Sequence, residues 1–176
     1  MATAPPHEDV TIRTGPRPGD LGTVLHMHGE IYAREYGFTE EFEAHVAHGL
    51  ARFAARLGAA REDPGLDDPG CLWLAKSKGV TVGTIALTNE GAGTAQLRWF
   101  LVAPAARGGL GHQLLDTTIA HARQCDYHRI TLWTVDGLDA AASLYTRAGF
   151  TRSEHRPVHQ WGRDLVEARW ELQLRA

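Results

Sequence analysis

The spacing of hydrophobic residues changes along the chain, and each change predicts a new element. The run "DVTIRTG" (residues 9–15) predicts a short first strand that the breaker cluster "GPRPGD" ends, and Asp20 is expected to cap the helix that follows. From Leu21 to Tyr32, apolar residues recur at spacings of three and four, which predicts a helix with one buried face. A second helix is predicted from Thr39, because two glutamates would occupy its first turn, where the helix dipole favours negative charge.

Three strand-like runs come next: "CLWLAKS", "VTVGTIALT" and "AQLRWFLV". Short glycine turns join them, which predicts an antiparallel meander. From Gly109 the period is helical again, and "RITLWTV" is apolar on both sides, as expected of a central strand between parallel neighbours. "LDAAASLYTRAGF" predicts a helix that Gly149 stops. The segment "SEHRPVHQWG" is interpreted as a loop before a half-buried closing strand, "LVEARWELQL".

This order of elements predicts an α/β fold in a single domain. Its mixed, mostly antiparallel sheet would have six or seven strands flanked by about four helices. At 176 residues, with 43% hydrophobic and 22% charged residues, the chain fits one globular domain, which we expect over residues 9–176 after a disordered leader at residues 1–8.

Charge and cysteine content exclude several classes of function. The net charge of −3, without a block of like charges, argues against a nucleic-acid partner. The N-terminus lacks the features of a signal peptide and no apolar run is long enough to span a membrane, so we predict a cytoplasmic protein with no membrane partner. Cys71 and Cys125 lie in unrelated segments, and neither a disulfide nor a zinc site is predicted.

The stretch "VAPAARGGLGHQLLD" (residues 102–116) predicts an anion site. A strand that runs into a glycine turn and then a helix presents free N–H groups at the helix N-terminus, which favours a phosphate. A Walker loop is excluded because His112 and Gln113 follow the last glycine, Gly111, where lysine and Ser or Thr are required. A dinucleotide fingerprint is excluded because Leu114 stands where it needs another glycine.

Four segments together resemble one family. "LRWFLVAPAARGGLG", the following helix, "ITLWTV" and "LYTRAGF" stand in the order found in GCN5-related N-acetyltransferases (GNATs). The resemblance is closest to the acetyltransferase domains fused to MarR-type regulators, through "HGEIYAREYG", "TLWT", "LYTRAGF" and "LVEARWEL". Because no winged-helix segment precedes these motifs, we expect a stand-alone version of such a domain.

The resemblance implies acetyl-CoA as co-substrate, without a metal. It also implies direct transfer of the acetyl group, in a ternary complex, to a primary amine of a small molecule, amino acid or peptide. The same resemblance implies a homodimer, formed through the edge strands or the C-terminal strand. A non-catalytic acyl-CoA-binding regulatory module is the alternative, and a protein-interaction domain descended from the fold is a third.

The resemblance further implies the residues that hold the cofactor. Main-chain groups of Leu101 and Val102 would bind the pantetheine arm, and Ala141 and Leu144 would pack on it. The pyrophosphate would lie on the turn, which comprises Arg107, Gly108, Gly109, Leu110, Gly111 and His112. The turn is one residue shorter than the family motif between Arg107 and Gly109, so we expect the arginine to be displaced.

Catalytic and acceptor residues follow from the same resemblance. Tyr145 would protonate the coenzyme A thiolate, although its helical spacing also fits a core aromatic residue. The strand "AQLRWFLV" lacks the glutamate of many family members, so Glu30 or Glu35 would act as the base through water, unless both lie on an exposed helix face.

Aromatic residues and histidines would complete the acceptor pocket. Tyr32 and Tyr36 would line it, and His155 and His159 would reach it from a loop that is otherwise simply solvated. Trp99 and Trp133 are predicted in the core, and Trp161 at the pocket or an interface. No metal site is predicted, because His26 and His28 point to different helix faces.

Overall fold

Seven strands and four α-helices follow one another in residues 10–174, the part of the chain that this computed structural model describes. The predicted disordered leader, residues 1–8, lies outside the described residues. In chain order the elements are β1 (Val10–Gly15), α1 (Asp20–Tyr36), α2 (Glu40–Glu62), β2 (Gly70–Ser77), β3 (Val80–Gly91), β4 (Thr94–Val102), a short 3₁₀ turn (Pro104–Ala106), α3 (Leu110–Gln124), β5 (Arg129–Val135), α4 (Asp139–Arg147), β6 (Thr151–Gln160) and β7 (Arg163–Gln173).

The strands form one mixed sheet in the order β1-β2-β3-β4-β5-β7-β6, which confirms the predicted α/β fold. All neighbours are antiparallel except β4 and β5. The expectation of two parallel neighbours for β5 was therefore wrong, since β7 pairs with it antiparallel. Apolar residues on both sides of a strand show that both faces of the sheet are covered there. They do not determine whether the neighbouring strands run parallel or antiparallel.

The segment "SEHRPVHQWG" was wrongly interpreted as a loop. Most of it belongs to β6, an edge strand that forms a hairpin with β7. Eight of the ten β6 residues are exposed, so the strand shows no alternation of buried and polar positions. The hairpin turn is made by Trp161 and Gly162, both with positive φ, a conformation that suits a tight hairpin turn. Because β7 lies inside the sheet, the C-terminal strand offers no free edge.

Asp20 does not cap α1 with its side chain. The N-cap is Gly19, with a φ of 92°, and Asp20 is the first helical residue. Its carboxylate instead accepts hydrogen bonds from the Arg13 guanidinium at 2.6 Å and from the Arg17 N–H at 2.6 Å. The pair ties β1 to the start of α1. Burial alone would raise the pKa of Asp20, but these donors outweigh it and lower that pKa.

Helices cover both faces of the sheet. Leucines of α3 are buried on one face, and α1 and α2 cover the other with a cluster of apolar side chains that includes Trp99. The prediction that Trp99 lies in the core is thus confirmed. The same prediction for Trp133 was wrong, because Trp133 is 37% exposed and the Arg156 guanidinium lies 5.2 Å from the centre of its ring. Trp161 packs on Phe38 and Phe42 of the second cluster.

The two central strands separate after a short ladder. β4 pairs with β5 only over Thr94–Gln96, and a bulge then follows at Trp99, whose φ is 46°. A bulge bends its strand and increases its twist. The C-terminal half of β4 therefore leaves β5 and opens a cleft between them. In residues 10–174 no helix is both long enough and apolar enough to cross a membrane.

Candidate active site

A cleft of about 420 Å³ lies at the C-terminal end of β4, beyond the short ladder that joins β4 to β5. Its walls come from the end of α1, the end of β4, the glycine turn and α4. Twelve residues singled out in the sequence line it: Tyr32, Glu35, Tyr36, Leu101, Val102, Arg107, Gly108, Gly109, Gly111, His112, Ala141 and Leu144. Segments far apart in the chain thus meet at one site.

The glycine turn presents main-chain donors to this cleft. Gly108 and Gly109 have φ values of 124° and 127°, which L-residues rarely adopt. The first helical hydrogen bond runs from the Gln113 N–H to the Gly109 carbonyl at 3.2 Å, so the N–H groups of the preceding residues have no helical partner. The Leu110 side chain is fully buried beneath them. This end of α3 therefore favours an anion.

Arg107 reaches across the mouth of the cleft. Its Nη2 donates to both carboxylate oxygens of Glu35 on α1, at 2.7 and 3.0 Å. The side chain of Arg107 is 48% exposed and that of Glu35 is 20% exposed, so water screens the guanidinium side of the pair, and solvent-exposed ion pairs contribute about 1 kcal/mol or less. A bound phosphate is therefore able to compete with Glu35 for the guanidinium.

A second, smaller cavity of about 170 Å³ adjoins the cleft. The two share Tyr32, Phe100, Leu138 and Ala141 as wall residues. Tyr145 lines this second cavity rather than the cleft, and its side chain is only 5% exposed. Burial, with Tyr32 nearby, raises the pKa of Tyr145, so the hydroxyl stays protonated and able to donate.

His28 also lines the second cavity, although no sequence motif pointed to it. Its Nδ1 lies 2.8 Å from the Val24 carbonyl, which only accepts, so Nδ1 carries the hydrogen and Nε2 keeps a lone pair. Among residues 10–174, no hydrogen-bond partner meets Nε2. The ring is 3% exposed and lies parallel to Tyr32, and burial lowers the pKa of His28 to about 4. A histidine on the otherwise apolar face of α1 was the available signal.

Three of the selected residues lie away from both cavities. Glu30 is exposed on α1, 3.5 Å from His26 and 3.4 Å from Arg34. His155 and His159 are exposed on β6, and His159 Nδ1 lies 2.7 Å from Asp164. β6 is separated from β4 by β5 and β7, so its side chains do not face the cleft.

No metal centre accompanies these cavities in the described part of the chain. Residues 10–174 contain no group of three or more His, Cys, Asp or Glu side chains arranged to hold a metal ion.

The family model described as "Acetyltransferase (GNAT) family" matches residues 53–150, more than half of the chain. The match includes β4, the glycine turn and α4, which form most of the cleft wall. The chain belongs to the GNAT family. It is an N-acetyltransferase, and acetyl-CoA is its acetyl donor.

Solved structures of acetyltransferases share the fold. A putative acetyltransferase from Salmonella typhimurium, whose structure contains its cofactor acetyl-CoA, is 22% identical with a TM-score of 0.72, over 94% of each chain. A ribosomal-protein-alanine N-acetyltransferase from Brucella melitensis is 21% identical with a TM-score of 0.71, over 93% of this chain and 99% of the other. No curated protein matches the chain in sequence.

Proposed function

We propose that this GNAT enzyme transfers the acetyl group of acetyl-CoA directly to a primary amine of a small molecule, amino acid or peptide, in a ternary complex. The observation that carries the proposal is the junction of two cavities at the walls of β4 and α4. The cleft ends in main-chain anion donors, which suits the cofactor. The second cavity contains Tyr145 and the free Nε2 of His28, which suits the acceptor.

In this proposal the cofactor lies along the separated end of β4. Main-chain groups of Leu101 and Val102 bind the pantetheine arm, and Ala141 and Leu144 pack on it. The N–H groups from Gly108 to His112 hold the pyrophosphate, and Arg107 exchanges Glu35 for a phosphate oxygen. The Salmonella structure of the same fold contains acetyl-CoA, which supports acetyl-CoA as the ligand.

Two side chains of the second cavity supply the proton transfers. As the amine nitrogen forms its bond to the acetyl carbon and the carbon–sulfur bond breaks, His28 Nε2 accepts the proton that the amine loses. The Tyr145 hydroxyl donates a proton to the coenzyme A thiolate. Glu35 is paired with Arg107 and Glu30 lies outside both cavities, so we propose His28 as the base in place of either glutamate. Tyr32, which lines both cavities, and Tyr36, which lines the cleft, remain proposed acceptor contacts.

The substitution Tyr145→Phe tests whether the Tyr145 hydroxyl is the general acid. We expect kcat to fall about 10²- to 10⁴-fold, with little change in acetyl-CoA binding, because only the hydroxyl is lost. Amine-dependent release of free thiol measures it. Tyr127→Phe is the matched control, since Tyr127 is also buried but lines neither cavity.

Two outcomes would favour the alternatives. If no amine in a broad panel releases thiol while coenzyme A still raises the melting temperature, the chain is a non-catalytic acyl-CoA-binding regulatory module. If coenzyme A does not raise it either, a protein-interaction domain is favoured.

We propose three finer points of identity. The first is a relationship to the acetyltransferase domains fused to MarR-type regulators, which the segments "HGEIYAREYG" and "LYTRAGF" support. A homodimer would form through β1 or β6, because these are the strands at the two sheet edges. The third is a cytoplasmic location.

A further inference from the structure

Arg98 of β4 lines the second cavity and takes no part in the proposed proton transfers. The side chain is partly buried under α2: its Nη2 lies 2.7 Å from the position that a Cβ on Gly49 would occupy. The guanidinium also lies 5.0 Å from the centre of the Trp99 ring. Within residues 10–174 it meets neither a hydrogen-bond acceptor nor a carboxylate at ion-pair distance.

The remaining walls of the second cavity do not balance this charge. None of the described residues that line it is an aspartate or a glutamate. Burial lowers the pKa of His28 to about 4 and also lowers that of His45, so neither imidazole adds a lasting charge at neutral pH. Burial lowers the pKa of Arg98 too, while Glu90 opposes that effect and Arg52 adds to it, but a guanidinium stays protonated in proteins.

An unpaired cation in a partly desolvated cavity favours an anionic ligand. A guanidinium binds a carboxylate with two parallel hydrogen bonds. These bonds offset the free-energy cost of removing the guanidinium from water. A second cationic group on the ligand would instead be repelled. The cavity therefore selects against polyamines.

Size and wall chemistry narrow the ligand further. At about 170 Å³ the cavity is well below the ~300–1,000 Å³ typical of ligand pockets, so the ligand is compact. Aromatic rings dominate its walls, among them Tyr32, Phe42, Trp99, Phe100 and Trp133. Flat apolar groups pack well on such rings.

We propose that the acceptor is a compact amine that also carries a carboxylate, as an amino acid with an apolar or aromatic side chain does, and that Arg98 binds this carboxylate. The inference rests on the proposed function and names its substrate class. Arg98 is thus a specificity-determining residue: it binds the carboxylate of the acceptor, while His28 accepts a proton and Tyr145 donates one.

Equilibrium binding tests the carboxylate site without requiring catalysis. The probe is 3-phenylpropionate, compared with 3-phenylpropanol, and the signal is tryptophan fluorescence, since Trp99 and Trp133 line the cavity. We expect the wild type to bind the carboxylate at least 10-fold more tightly than the alcohol. Arg98→Gln should abolish the difference and Arg98→Lys should retain part of it, whereas Arg52→Gln, which removes a nearby exposed cation, should leave it unchanged.

Turnover provides the second measurement, with L-phenylalanine and 2-phenylethylamine as amines that differ only in the carboxylate. We expect kcat/KM to favour the amino acid at least 10-fold in the wild type, and Arg98→Gln to lower kcat/KM about 10- to 100-fold for the amino acid alone. Melting temperatures of all variants check that each one folds.

The outcomes separate the two proposals. Thiol release with both amines at equal kcat/KM, or equal losses for both in Arg98→Gln, overturns the inference and leaves the proposed function standing. Arg98-dependent binding of 3-phenylpropionate without thiol release from any amine supports the anion site and contradicts the proposed function. Equal binding of 3-phenylpropionate and 3-phenylpropanol, without thiol release, overturns both.

Discussion

At the scale of single residues, the His28 imidazole couples the active site to the stability of the fold. Burial lowers the pKa of His28 from 6.5 to about 4, so between these values the unfolded chain binds a proton that the folded chain does not. His28 therefore contributes stability that is complete above about pH 6.5 and is lost as the pH falls toward 4. The same burial keeps Nε2 unprotonated at neutral pH.

His28→Gln should flatten this pH dependence. From pH 7 to pH 5 we expect the free energy of unfolding of the wild type to fall by about 2 kcal/mol through His28, and the variant should lose that part of the slope. Denaturant titrations at both pH values measure it. His26→Gln, a change on the exposed side of α1, should keep the wild-type slope; equal slopes in wild type and His28→Gln would show that the imidazole is not desolvated.

Removing Glu35, the ion-pair partner of Arg107, is expected to strengthen acetyl-CoA binding, whereas most active-site substitutions weaken it. Glu35→Gln removes a competitor for the guanidinium and a negative charge close to the proposed phosphate site. We expect KM for acetyl-CoA to fall about 2- to 5-fold, in keeping with the modest strength of exposed ion pairs. Steady-state kinetics measure it, with Glu30→Gln as the control. A higher KM in Glu35→Gln would instead mean that Glu35 holds Arg107 in its productive position.

At the scale of elements, the glycine turn is the part of the site that was most predictable. Its composition indicates positive φ values before a helix, and Gly108 and Gly109 adopt them. The partner of Arg107 was not predictable, because Glu35 lies 72 residues earlier in the chain. β6 was missed because exposure of both faces removes the alternation that identifies a strand.

Gly109→Ala should weaken acetyl-CoA binding about 10-fold. No atom lies within 4 Å of the added methyl group, but a φ of 127° strains an L-residue, so the turn must rearrange and its N–H groups move. Titration of coenzyme A by thermal shift measures the loss. Gly58→Ala on α2, where the methyl group also meets no atom within 4 Å, should instead stabilise the protein by about 0.5–1 kcal/mol. Unchanged coenzyme A affinity in Gly109→Ala would contradict the role of the turn.

At the scale of the whole molecule, the sequence predicted the fold better than the acceptor site. Periodicity defined both helical layers and the meander, and the ordered motifs indicated the GNAT family. His28 and Arg98 were missed because a histidine on an apolar helix face and an arginine in a strand usually have structural partners. The free Nε2 of His28 and the unpaired guanidinium of Arg98 depend on how α1 and α2 pack over β4, which periodicity does not encode.

The three-residue ladder between β4 and β5 divides the sheet into two antiparallel halves, β1 to β4 and β5, β7 and β6. A pantetheine arm bound along β4 would bridge the halves like a removable eighth strand. In that arrangement the donor substrate would also hold the two halves of the sheet together. When coenzyme A leaves, the pairing between the two halves within residues 10–174 would be reduced to the ladder at Thr94–Gln96.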